Sequence, residues 1–283
     1  MRDLGQRLDL CSINTVTLGH RRPLAETLDA IARAGFGYAA PWRDEVQAAG
    51  TAAVARQLRA LGLKLSGYLR SSFYAGARPA EYEAAIEDNR RALEQAAEIG
   101  APSLIVVGGG LAPGTRDLAA ARARYADGAA RLWEYARELG IGLTLEPLHP
   151  MYAAERSCVC TLADALDLCA DIDPQRRGGL GIAVDVYHCW WDPALAAQIR
   201  RAGAEGRLDA FHVSDWLSPT RDMLLDRGMM GDGIIDLPAI RAMVEEAGYR
   251  GPVEVEIFSR DDWWRRDPAQ TLQVCAQRLQ TVC

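Results

Sequence analysis

The sequence predicts an α/β fold, a single-domain (β/α)8 barrel, and three observations carry that reading. Short apolar runs alternate with longer amphipathic ones along the chain, the sign of βα units on a parallel sheet. A glycine recurs between a helix and the next strand, as in ARAGFGYAA, RALGLKLSGYL, AEIGAPSLIVV, ARELGIGLTLE and EEAGYRGPVEVE. Four residues able to bind one metal ion each stand at the C-terminal end of a separate strand candidate: Glu146 in LTLEPLHP, Asp185 in GIAVDVYHCWW, His212 in AFHVSDW and Glu256 in PVEVEIFS. Far apart in sequence, they converge only if parallel strands close into a barrel.

The elements follow in order. Strands are expected at 8–17, 36–41, 63–69, 103–108, 141–146, 180–186, 208–214 and 252–258. Helices are expected at 23–34, 45–61, 79–99, 116–139, 161–171, 193–203, 236–247 and 267–280. Asp44 and Thr161 read as N-caps, and Asp192-Pro193 and Asp267-Pro268 place proline near a helix start. Eight strands alternating with eight helices fit a barrel of this length. An open doubly wound sheet is the alternative, but no GxGxxG follows the first strand, and the ligand candidates come from four consecutive late strands.

Composition narrows the function. The chain has 283 residues, 49% of them hydrophobic, enough for one barrel-sized core. Net charge is −6 and no basic run stands out, so nucleic acid is not an expected partner. No apolar run reaches membrane-spanning length, and MRDLGQRLDL is no signal peptide, so a cytoplasmic protein without a membrane partner is expected. Seven cysteines, an odd number without a CxxC pair, argue against a disulfide framework or a structural zinc site. Cys158 and Cys160 read as structural. Lys64 is the one lysine and sits at the start of its strand, so Schiff-base chemistry is disfavoured.

The site candidates each have a structural alternative. Glu146 ends an apolar strand, where a carboxylate is costly unless it is paired with an arginine or bound to a metal. Asp185 and His188 form DVYH. On an extended segment Asp185 points inward while His188 leaves from the loop beyond, as a substrate contact or a hydrogen-bonded structural group. Trp190 and Trp191 offer an apolar wall for a sugar ring or pack against a helix. His149, just past Glu146, is placed to protonate a leaving group or to hold its loop. Asp215 is read as orienting a ligand or capping a loop. Arg227 or Arg221 can reach substrate oxygens with a planar fork, or both are solvated. Gly108, Gly109 and Gly110 read as a tight loop more than a phosphate cradle. Glu254 shares a face with Glu256, one layer deeper, and needs a partner the sequence does not name.

At these residues the chain resembles the xylose-isomerase-like TIM-barrel superfamily of sugar and sugar-phosphate isomerases and epimerases. The matching pieces are Glu146 on the fifth strand, the D-x-x-H of Asp185 and His188 on the sixth, His212 on the seventh, Arg227 ahead of Gly231-Asp232-Gly233, and Glu256 in GYRGPVEVE. The resemblance is close in the C-terminal half and rests on βα rhythm in the N-terminal half. It implies one divalent metal held by Glu146, Asp185, His212 and Glu256. Mn²⁺ is the first choice, with Mg²⁺, Co²⁺ or Zn²⁺ as alternatives. It further implies Glu146 and Glu256 as acid/base groups moving a proton through an enediolate, and His188 and Arg227 on substrate oxygens. The partner is then a small sugar or keto-polyol. Dimers or tetramers are common in the superfamily, and DDWWRRDP is a candidate interface. A dehydratase acting on a keto-inositol or keto-sugar is the closest rival. Abasic-site endonucleases of the superfamily use a histidine-rich three-metal site, for which four histidines are few. A non-catalytic sugar-binding protein would not need paired glutamates.

Overall fold

The computed structural model describes residues 2–4 and 7–283. Eight parallel strands form the sheet: β1 (Cys11–Asn14), β2 (Tyr38–Ala40), β3 (Lys64–Leu65), β4 (Ser103–Val106), β5 (Gly142–Leu145), β6 (Leu180–Asp185), β7 (Leu208–Val213) and β8 (Val253–Val255). Their order is β3-β2-β1-β8-β7-β6-β5-β4, so the last strand pairs with the first. The remaining seam closes past the end of β3. There Tyr68 bridges to Leu104, with Tyr68 N–H donating to Ser103 O and Ile105 N–H to Tyr68 O, both at 3.0 Å. The result is the expected (β/α)8 TIM barrel.

The helices around it are α1 (Leu24–Arg33), α2 (Arg43–Ala49), α3 (Thr51–Leu61), α4 (Pro79–Ile99), α5 (Leu118–Glu138), α6 (Leu162–Ile172), α7 (Val186–Cys189), α8 (Leu195–Glu205), α9 (Leu237–Glu246) and α10 (Pro268–Thr281). The expected helix 45–61 is two helices. Gly50 sits at φ 83°, outside the right-handed helical region, and breaks the run. Thr161 and Asp267 cap α6 and α10 through their side chains. Asp44 is no cap but lies inside α2, where the neighbouring Glu45 carboxylate accepts from the Trp42 N–H instead.

Strand alternation sorts the side chains. Ile13, Leu104, Leu143, Val184, Phe211 and Val255 join the large apolar cluster under the helices. A second apolar group, Ala40, Leu69, Ile105, Ala183 and Ala210, forms separately. Between β8, β1 and the segment after β3 runs a polar layer. Glu254 on β8 accepts from Asn14 on β1 at 2.9 Å and from Ser66 beyond β3 at 2.6 Å. Ser66 also meets Ser12 at 2.7 Å. Such bonds cross the barrel interior, so its floor beneath the site is charged but satisfied. The cysteines are free, and burial raises the Cys158 and Cys160 thiols to about 11, as suits structural residues.

A candidate metal centre at the C-terminal mouth

The four strand-end candidates meet. Glu146 follows β5, Asp185 ends β6, His212 lies in β7 and Glu256 follows β8. One potential ligand atom from each lies within 4.8 Å of the others, and all four residues are buried. His212 Nδ1 is 3.3 Å from Glu146 Oε1, and its Nε2 is 3.8 Å from Glu254 Oε1. Three carboxylates and one imidazole form a hard, oxygen-rich donor set, so the residues fit a single divalent ion.

Arg227 enters this cluster more deeply than a substrate contact requires. It is 3% exposed. Its Nη1 donates to Asp185 Oδ2 and to Glu256 Oε2, each at 3.0 Å. The guanidinium also lies 4.4 Å from the Tyr187 ring and 4.9 Å from that of Phe258. The cation thus supports two of the carboxylates that face the metal position. Arg221, the other arginine considered, instead pairs with Asp226.

The extended-chain expectation for His188 fails. The Asp185 carboxylate accepts from the Tyr187 N–H at 2.8 Å and starts the single helical turn α7. Residues three apart on such a turn share a side, so His188 Nε2 comes to 3.6 Å from Asp185 Oδ2 and 3.1 Å from Arg227 Nη2. His188 Nδ1 accepts from the His149 N–H at 3.2 Å. Burial, against the pull of Asp185 and helped by Arg227, lowers His188 to about 3.

The other acid–base groups are set by the same crowding. Burial raises Glu256 to about 8, with Arg227 opposing and Glu146 and Asp185 reinforcing. Burial acts to lower His212, yet Glu254, Glu146 and Glu256 together hold it well above the usual imidazole range. Asp185, although burial opposes it, is kept below the ordinary carboxylate range by Arg227, His188 and His212.

Glu254 has the partners the sequence could not name: Asn14, Ser66 and the far side of His212. Asn14 Nδ2 also donates to Glu256 Oε1 at 3.0 Å, and its Oδ1 accepts from the Trp42 indole at 2.8 Å. Asn14 thereby holds both glutamates in register. Asp215 is a loop holder: its carboxylate accepts from the backbone N–H groups of Trp216, Gly231, Gly233 and Ile235.

A small cavity of about 30 Å³ opens beside the cluster, bounded by Glu146, Glu256, His188 and Arg227 and by side chains that include Trp42, Arg70 and Arg156. His149 and Trp190, expected at the substrate, are not among its walls. The His149 ring stacks on Trp216 at 5.2 Å and meets Trp191 at 5.5 Å, while Trp190 packs on Trp216 at 5.8 Å. The tryptophans of DDWWRRDP also turn inward. Trp263 is buried, and the Trp264 indole donates to Ile257 O. Gly108–Gly110 serve close packing, because a Cβ on Gly110 would lie 2.3 Å from the Ala154 carbonyl oxygen.

Fold and site together define a TIM barrel whose C-terminal mouth carries a buried cluster able to hold a metal ion. The chain belongs to the xylose isomerase-like TIM barrel family, whose model matches residues 28–275. The solved structure of protein SMc04130 from Sinorhizobium meliloti 1021 shares 47% identity over 98% of this chain and 99% of that one, with a TM-score of 0.94. D-allulose 3-epimerase from Methylomonas sp. matches at 21% identity over 96% and 97%, with a TM-score of 0.77. An IOLI protein solved with a zinc atom matches at 17% identity over 96% and 98%, with a TM-score of 0.80. The last two likenesses concern the fold. No curated protein sequence matched.

Proposed function

We propose that the protein is a divalent-metal-dependent isomerase or epimerase of a sugar or keto-polyol. The observation that carries this is the convergence of Glu146, Asp185, His212 and Glu256 from four consecutive strands to within 4.8 Å, beside a cavity walled by His188 and Arg227. The relatives named as epimerases on the same fold support it.

Glu146, Asp185, His212 and Glu256 would hold the ion, Mn²⁺ by preference, with Mg²⁺, Co²⁺ or Zn²⁺ as substitutes. When bound, the ion supplies Lewis-acid polarisation of a substrate carbonyl. Glu146 removes the proton from the adjacent carbon. Glu256 delivers one on the opposite face. His188, in the cavity wall, contacts a substrate oxygen. Arg227 steadies Asp185 and Glu256, and Asn14 fixes the angle of Glu256 from the other side. The dehydratase alternative asked His149 to protonate a leaving group, and the stacking of that ring on Trp216 weighs against it.

The test is metal analysis of the purified protein, followed by incubation of ketoses and keto-inositols with the Mn²⁺-loaded protein in D₂O. One ion per chain and deuterium at the carbon beside the carbonyl are expected. Loss of water from the substrate would establish the dehydratase instead. Protein that takes up none of these ions and exchanges no carbon-bound proton refutes the reading.

A further inference from the structure

Two arginines at the cavity have no role in the chemistry above. Arg70 lies past β3 and Arg156 on the loop after β5. Both stand over the same ring: the guanidinium carbons are 4.3 Å and 5.8 Å from the Phe73 centroid. Arg156 also lies 5.7 Å from the Tyr152 ring. Among the described residues, neither has a carboxylate within ion-pair distance. The Nε of each is buried and donates to nothing. Arg70 spends one donor, Nη1, on the Ser71 carbonyl at 3.0 Å. Placing two like charges against one aromatic ring, half out of water and unpaired, is unfavourable unless something negative joins them. Burial first, and then Arg156, lowers Arg70 to about 10, the direction expected of a cation lacking its anion.

Together these two arginines exceed what the acidic cluster needs for neutrality. A divalent ion with the Arg227 guanidinium offsets three of the four buried carboxylates Glu146, Asp185, Glu254 and Glu256. Arg70 and Arg156 then carry the cavity past neutrality to a net positive charge. Arg70 also borders a second, outer cavity of about 250 Å³, shared with Trp42, Ser71 and Phe73. Arg70 thus borders both cavities.

We infer that the substrate carries an oxyanion, a carboxylate or a phosphate monoester, gripped by Arg70 and Arg156 at the end away from the metal position. This rests on the isomerase reading for the rest of the site, though not for the anion contact itself. Planar forks suit either anion, because both present oxygens that accept paired N–H bonds. Neutral ketoses are then poor substrates beside sugar acids or sugar phosphates.

Calorimetric titration with three small probes separates the possibilities: glycerate, glycerol 3-phosphate and glycerol. Each is run on chelator-treated and on Mn²⁺-loaded full-length protein. At least one anion should bind about tenfold or more tightly than glycerol in both forms, the scale of one or two charge-assisted hydrogen bonds. The stronger of the two anions identifies the group. Arg70→Met and Arg156→Met should each remove most of that preference while Mn²⁺ uptake stays normal, and Arg70→Lys should keep part of it. Because metal-free protein is tested too, anion binding without Mn²⁺ uptake would sink the isomerase reading and leave this inference standing. If neither anion outcompetes glycerol, or if both Met variants fold and still prefer anions as the parent does, the inference is overturned. Should Arg70→Met fail to fold, Arg156→Met and the parent comparison still decide.

Discussion

The two halves of the barrel contribute to the site in different ways. Strands β5 to β8 each deliver one side chain of the candidate metal cluster at the C-terminal mouth: Glu146, Asp185, His212 and Glu256. The N-terminal half delivers no ligand to that cluster. It supplies Asn14, Trp42 and Arg70, neutral donors and a cation that face the ligands from across the ring. One half concentrates negative charge; the other makes that charge tolerable and shapes the space in front of it. A buried carboxylate cluster needs both, since an unpaired charge out of water is expensive.

This division is broken most sharply at the glutamates. Glu146→Gln and Glu256→Gln should each lower solvent-proton exchange by about a hundredfold or more, the scale of general acid–base catalysis. Near-parental exchange in either variant would falsify the assigned roles. Asp185→Ala comes next. Its metal content after dialysis should fall about tenfold or more, as for a lost or misoriented ligand. Unchanged content would mean that the ion sits elsewhere.

The pH response sharpens the same half. Glu256 is raised to about 8 and His212 is raised as well, so both must lose protons to bind an ion. Mn²⁺ affinity, measured by titration, should weaken as pH falls from 8 to 6. For the metal-free protein the sign reverses. A group whose folded pKa is raised favours the native state at low pH and withdraws that support as pH climbs through the folded value. These two groups therefore contribute less stability near pH 9 than near pH 6. Glu256→Gln should flatten the fall in melting temperature across that window, and an unaltered slope would assign the fall to other groups.

The N-terminal half should respond more mildly. Asn14→Ala removes donors from Glu254 and Glu256 and should cost about 1–3 kcal/mol in denaturant unfolding. It should reduce kcat more than it raises KM, because Asn14 orients Glu256 without itself lining the cavity. Trp42→Phe keeps the ring but loses the indole donor to Asn14 and should cost only about 1 kcal/mol. A larger effect for Trp42→Phe than for Asn14→Ala would reverse their proposed hierarchy.

Much of the fold was legible because its signals are local. The alternation of strand and helix, the glycines between them and the caps Thr161 and Asp267 depend on neighbours a few residues away. The four ligand candidates were legible for the same reason: each is a polar residue ending an apolar strand. His188 was misplaced because the sequence could not foretell that the Asp185 carboxylate would cap its own following turn. The turning of His149 and Trp190 toward Trp216 depended on a packing partner tens of residues away. Arg70 and Arg156 gave no distinguishing signal in a chain where every basic residue but Lys64 is arginine.

By itself, then, the amino-acid order determined a closed ring of βα units and four candidate metal ligands at its mouth. Short-range periodicity suffices for that, and parallel strands force their C-terminal ends to one side. Only the tertiary structure decided that Asn14 and Ser66 answer Glu254, that Arg227 spans Asp185 and Glu256, and that two unpaired arginines face the cavity. Those facts are contacts across the barrel, between residues as many as 240 positions apart, and no local pattern records them.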